Sequence, residues 1–185
     1  MIIHKKNFFN NFPTWEKIIK ILDYQYNNPT MINESEGTVH KNNSPTGIRM
    51  MNRLCLHSWG LGDSQGILLD ELKNIHDIFV NHNKIEKNIS AKMVLNFVGN
   101  ESVYDIHKDI QYVISFQCIG NIEYRIFEDE INTDNYISYF LEPGDAFYMS
   151  PGTVHQVVVN EPRVTVLFDF FVKNHEILPQ DIWDN

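Results

Sequence analysis

Cysteine, basic residues and long apolar runs are all scarce in this chain. Two cysteines in 185 residues, Cys55 and Cys118, are too few for a disulfide framework, and Cys118 stands in an apolar strand-like run where it reads as a small core residue. No apolar run approaches the ~18 residues that a membrane span requires. The start, Met1-Ile2-Ile3-His4-Lys5-Lys6-Asn7, runs into Asn10, Asn11 and Pro13 instead of an unbroken apolar stretch, so it does not read as a signal peptide, and a cytoplasmic setting is expected. Lysine and arginine number 15 against 24 acidic residues, a net charge of −9. Phosphate recognition draws its affinity from lysine and arginine, so a nucleic-acid partner is not expected. Lys84, Lys87 and Lys92 read as residues of a solvated turn. The acidic balance is compatible with a small molecule or a basic protein as substrate, and a homodimer is one assembly left open.

What is present is enough for a core. With 43% hydrophobic residues and neither an internal repeat nor a low-complexity linker, one domain over 1–185 is expected: 1–90 as helical and loop elements, 91–173 as a β core, 174–185 as a tail. Trp15, Ile18, Ile19, Ile21 and Leu22 recur at helical spacing after Pro13-Thr14, with Thr14 placed to cap the helix. Asn27 to Pro45 is rich in Asn, Ser, Thr, Gly and Pro and reads as a loop. A second helix is expected from about Ser64 to Val80. Beyond Ala91, strands follow quickly: Met93 to Val98, Val103 to Asp109, Gln111 to Ile119, Asn121 to Phe127, Tyr136 to Leu141, Ala146 to Met149, Val154 to Val159 and Arg163 to Val172. With an earlier one at about Ile48 to Leu56, they suffice to close a jelly-roll barrel.

The chemistry gathers in two segments of that β run. In His107-Lys108-Asp109, strand alternation turns His107 and Asp109 to one face and Lys108 to the other. Leu141-Glu142-Pro143-Gly144-Asp145 and Pro151-Gly152-Thr153-Val154-His155 read as a turn, a short apolar strand and a second turn that delivers a histidine. Two imidazoles and a carboxylate make up a facial triad, which holds Fe(II) on one side and leaves the opposite positions open.

From about Met93 to Phe171 the chain resembles the double-stranded β-helix of the cupins, and more narrowly the JmjC-type, cupin-like 2-oxoglutarate oxygenases. The resemblance rests on His107-Lys108-Asp109, on Gln111 to Gly120 with Asn121 to Phe127, on the two turn segments, and on Arg163-Val164-Thr165-Val166-Leu167-Phe168. It implies a mainly β jelly roll with flanking N-terminal helices, His107, Asp109 and His155 as ligands of Fe(II), 2-oxoglutarate as co-substrate, and hydroxylation of a protein, peptide or small molecule.

One feature of that family is missing. Its members carry a basic residue on the strand after His-x-Asp to pair with the far carboxylate of 2-oxoglutarate, and Ile122 stands at that place. Arg163 is one replacement, since an arginine beyond the second histidine does this in other branches; Arg125 is another, although without a bulge its parity turns it outward. Tyr104 and Gln117 are further co-substrate candidates, Gln117 and Ser115 sharing inward parity with Asp109. Trp59 could line a substrate groove, whereas His57, His76, His82 and His175 lack ligand-like partners. Two other readings stand beside the oxygenase: a metal cupin without 2-oxoglutarate chemistry, such as an isomerase, a dioxygenase or a sugar-related protein, and a barrel that only binds.

Overall fold

A computed structural model of the chain describes residues 1–27, 47–51, 55–59, 90–97 and 105–172, with side chains for 1–23, 91–97 and 105–172. In chain order the elements are β1 (Ile2–Lys5), α1 (Trp15–Asn27), β2 (Gly47–Met51), β3 (Cys55–Trp59), β4 (Ser90–Asn96), β5 (His107–Lys108), β6 (Tyr112–Ile119), β7 (Ile122–Phe127), β8 (Tyr136–Leu141), β9 (Ala146–Met149), β10 (Val154–Val159) and β11 (Arg163–Phe170). Seven strands form one sheet in the order β1-β9-β6-β11-β4-β3-β2, and four form a second in the order β5-β10-β7-β8. All pairings are antiparallel. The mainly β jelly roll expected from the sequence is the fold observed.

Side-chain parity explains why β6 and β11 lie at the centre of the large sheet. Ile114, Phe116 and Cys118 on β6, with Val164, Val166, Phe168 and Phe170 on β11, point to one face and form a cluster with Ile18 and Ile21 of α1. Val113 on the opposite parity meets Ile122, Tyr124, Leu141, Phe147, Met149 and Val159 in a second cluster, between the sheets. Both faces of these strands are covered, which is why their sequences run nearly continuously apolar. Cys118 is buried, and its thiol donates to the Phe116 carbonyl at 3.5 Å.

The helix forms where its stripe and cap require it. The Ile18 N–H donates to the Thr14 carbonyl, and the Lys17 N–H reaches Thr14 Oγ1 at 3.3 Å, a threonine cap. Ile18 and Ile21 are buried, but Ile19 is 59% exposed. One step around a helix is about 100°, so Ile19 leaves the stripe that was expected to include it. Among the described residues no helix is long and apolar enough to cross a membrane.

Four expectations need correction. Ile2–Lys5 is a strand paired with β9, although residues 1–90 were read as helices and loops apart from one strand; Asp145 secures it by accepting from His4 Nε2 and the Asn7 N–H, both at 3.0 Å. The single strand expected at Ile48 to Leu56 is instead a hairpin of β2 and β3. Of the strand expected from Val103 to Asp109, the described part, residues 105–109, is strand only at His107–Lys108, and 103–104 lie outside the described residues. Lys92 belongs to no solvated turn, because it lies in β4, where it alternates with buried Met93. The expected helix at 64–80, the loop at 28–45, Tyr104, His76, His82, His175, Lys84 and Lys87 lie outside the described residues, as do the side chains of His57 and Trp59.

Candidate metal centre

The short strand β5 exists to pair with β10. His107 lies directly opposite His155, and Lys108 opposite Val154. Asp109 leaves the strand, and its carbonyl accepts the Gly152 N–H at 2.8 Å, so the Pro151-Gly152 turn docks where the carboxylate is presented. The two imidazole centroids are 4.4 Å apart with planes at 51°, and Asp109 Oδ2 lies 3.7 Å from His155 Nε2. Ligand atoms of His107, Asp109 and His155 all fall within 4.8 Å of one another. Lys108 points away and pairs with Glu130 at 3.2 Å.

Hydrogen bonding sets the tautomers. His107 Nδ1 lies 2.8 Å from the Asp105 carbonyl, and His155 Nδ1 lies 3.0 Å from the Thr153 carbonyl. A carbonyl can only accept, so each Nδ1 carries the proton and each Nε2 carries the lone pair, as in metal-bound histidines oriented by a backbone partner. Burial pulls the pKa of His155 below the usual imidazole value, which keeps the ring neutral and able to ligate. The donor set suits a divalent ion.

Behind the three ligands lies a cavity of about 210 Å³ whose apolar wall includes Val94, Val113, Met149, Val157 and Leu167. Its polar groups are Lys92, Tyr124, Arg163 and Asp169. Tyr124 shares a 2.5 Å hydrogen bond with Ser115. Lys92 forms an ion pair with Asp169; burial lowers the ammonium's pKa, and the charge of Asp109 opposes that shift.

Arg163 is 3% exposed and faces this cavity. Its Nε donates to Asn96 Oδ1 at 2.7 Å and Nη1 to Thr165 Oγ1 at 2.5 Å. Thr165 donates in turn to Gln117 Oε1 at 2.6 Å, and Gln117 Nε2 holds the carbonyls of Ile119 and Gly120 at 2.8 and 2.7 Å. A buried polar chain thus runs from β4 through Arg163 to the β6–β7 turn. Gln117 and Ser115 do face inward, but the Gln117 amide is engaged by the turn and by Thr165. Arg125 is removed from the site: it lies opposite Gln156 in a regular ladder, donates to Glu123 at 3.0 Å and stacks over Tyr136 at 4.8 Å. Ile122 is buried in the apolar cluster with Leu141 and Val159.

Four polar residues near the cavity escaped the sequence reading: Lys92, Tyr124, Asp169 and Asn96. The available signal was parity, since Lys92, Val94 and Asn96 alternate with Ala91, Met93 and Leu95, placing a lysine on the inner face of an otherwise apolar strand.

No family model matches the sequence, and no curated protein matches it. The fold is similar to the ribosomal oxygenase YcfD from Escherichia coli, with a TM-score of 0.62 at 18% identity, covering 94% of this chain and 48% of that one. The same oxygenase in complex with cobalt and 2-oxoglutarate gives a TM-score of 0.61 at 17% identity, over 95% and 49% of the two chains. Its complex with cobalt and succinic acid gives 0.61 at 17%, over 94% and 49%. The chain therefore spans about half the length of these proteins, and the likeness is one of fold.

Proposed function

We propose that this chain is an Fe(II)- and 2-oxoglutarate-dependent oxygenase that hydroxylates a protein, peptide or small molecule. The observation that carries the reading is the convergence of His107, Asp109 and His155 on the wall of a cavity that a buried arginine also lines. Together with 2-oxoglutarate and oxygen, the iron supplies oxidation of a C–H bond with release of succinate and carbon dioxide.

The chain's own residues do the rest. The Asp105 and Thr153 carbonyls hold both imidazoles by Nδ1, so that each Nε2 would be available to the ion. Arg163, held by Asn96 and Thr165, offers a cation to the far carboxylate of 2-oxoglutarate, which would cost several kcal/mol if it were buried unpaired. Gln117 acts one step back, by holding Thr165. The apolar wall limits water around the reacting carbon.

The test is anaerobic titration with Fe(II) and then 2-oxoglutarate, followed by aerobic succinate measurement against an Asp109→Ala control. The reading requires stepwise binding and succinate above that control. Two observations favour a second reading, a metal cupin without 2-oxoglutarate chemistry: Ile122 is apolar and buried, and two nitrogens of Arg163 are already engaged. Intact metal binding with neither 2-oxoglutarate binding nor succinate selects that alternative, and absence of metal binding selects a barrel that only binds.

A further inference from the structure

The role given above to Arg163 leaves a second, partly buried cation in the cavity unused. Lys92 on β4 and Asp169 on β11 are ion-paired on the wall that also carries Val94, Val113 and Leu167. Taking charges out of water is costly, and well-packed apolar side chains serve stability equally well or better. The wall around this pair is already apolar, so packing gives no reason for the charges.

Position and accessibility say what the pair can meet. Asp169 lies opposite Val113 on β6, four residues beyond Asp109, which places it toward the metal end, whereas Arg163 begins β11 at the opposite end. The Asp169 side chain is 3% exposed and that of Lys92 26%. The ammonium is therefore the member a ligand reaches, with the carboxylate sealed behind it. Charge points the same way. Asp109 and Asp169 balance Lys92 and Arg163, so a divalent ion leaves the cavity with positive charge in excess, which a carboxylate ligand reduces and a cationic ligand would worsen.

We infer that Lys92, backed by Asp169, is a carboxylate-receiving group at the metal end of the cavity, distinct from Arg163. The carboxylate belongs either to 2-oxoglutarate or to the primary substrate, which would then be a carboxylic acid. Asp169 competes for the same ammonium. The two side chains therefore act in opposite directions on ligand affinity, which no purely structural ion pair would do.

The inference rests on the metal reading only through its reporter, the visible absorption of Co(II) bound to the full chain. Wild type, Lys92→Met, Lys92→Arg and Asp169→Asn are titrated with 2-oxoglutarate and then, in the presence of 2-oxoglutarate, with propionate as a simple carboxylate probe. For one of the two ligands, Lys92→Met weakens binding about tenfold or more, Lys92→Arg recovers most of the loss, and Asp169→Asn tightens binding about threefold or more. An effect on 2-oxoglutarate assigns Lys92 to the co-substrate, and an effect on propionate alone assigns it to the primary substrate. Equal affinities throughout overturn the inference, as does weaker binding in Asp169→Asn. Should Lys92→Met fail to fold, Lys92→Gln and the sign of the Asp169→Asn effect still decide. Failure of wild type to bind Co(II) refutes the metal site, whereas normal Co(II) binding with unchanged carboxylate affinities refutes Lys92 alone.

Discussion

Gly120→Ala is expected to be among the most damaging single-atom-scale changes in the barrel, and its cost can be worked out from two separable sources. Gly120 turns the chain from β6 to β7 with φ of 69°. An alanine in that left-handed region costs about 1–2 kcal/mol through its own backbone. Its Cβ would also lie 2.3 Å from the Pro162 carbonyl oxygen, far inside contact distance, and relieving such overpacking against backbone costs a further ~1–3 kcal/mol. The sum is about 2–5 kcal/mol, which for a chain of this size lowers Tm by roughly 4–20 °C. Gly152 provides the control. Its φ is 76° and an added Cβ meets nothing within 4 Å, so Gly152→Ala carries only the backbone cost of about 1–2 kcal/mol. Thermal unfolding of both variants by circular dichroism compares them directly. Equal destabilisation would refute the assignment of a steric cost at Gly120. Because the Gly120 carbonyl also accepts from Gln117, the same shift should loosen Arg163, so the folded fraction of Gly120→Ala should bind 2-oxoglutarate more weakly.

The other expectations concern the metal and the cavity. Saturation with Co(II) or anaerobic Fe(II) at a hundred times the dissociation constant should stabilise the wild type by about 2.7 kcal/mol, seen as a rise in Tm that His107→Ala and His155→Ala lose; an equal rise in those variants would refute the ligand set. Arg163→Leu should weaken 2-oxoglutarate about tenfold or more in an anaerobic titration while metal affinity changes little, and Arg125→Leu, on the outer face, should change neither. Equal 2-oxoglutarate affinity for wild type and Arg163→Leu would remove the arginine from the co-substrate site. Tyr124→Phe leaves the buried Ser115 hydroxyl without its partner and should cost about 1–2 kcal/mol in denaturant unfolding; no loss would show that the 2.5 Å contact contributes nothing net.

How far the sequence revealed this fold depended on whether the governing signal was local. Strands β6 to β11 were legible because alternating or continuous apolar runs sit between strong turn signals: Gly120-Asn121, Pro143-Gly144 and Pro151-Gly152. The edge strand β1 was not. Four residues carry too little pattern, and what makes them a strand is the distant chain of β9 and the carboxylate of Asp145, 141 positions from His4. For Arg125 parity set only a condition, outward unless a bulge intervenes, and the ladder from Ile122 to Ile126 against β10 is regular. Lys92 was misread because its cluster was judged by charge, when the strand period already turned it to the face of Val94. Parity puts Asn96 on the inner face, but its role as partner of Arg163 was not legible, since only the register that places Arg163 opposite Asn96 brings those two together.

The two ends of the cavity are built by different means, and this bears on how each would respond to a ligand. At the metal end, β5 contributes two residues and, among the described residues, pairs with β10 alone, so few described backbone bonds fix His107, and Asp109 lies past the strand's last residue. Such an end is locally the less stable part of a barrel, and a bound ion would tie together two segments, the β5 stretch and β10, that the ladder joins weakly. At the other end, Arg163 sits on a central strand flanked on both sides, with a hydrogen-bonded chain from Asn96 to the Gly120 carbonyl. That end is ordered without a ligand, and it presents its cation with little further loss of side-chain entropy. A dicarboxylate entering this cavity would therefore find its far anchor already fixed, and its binding would report mainly on closure at the metal end, where His107, Asp109 and Lys92 stand.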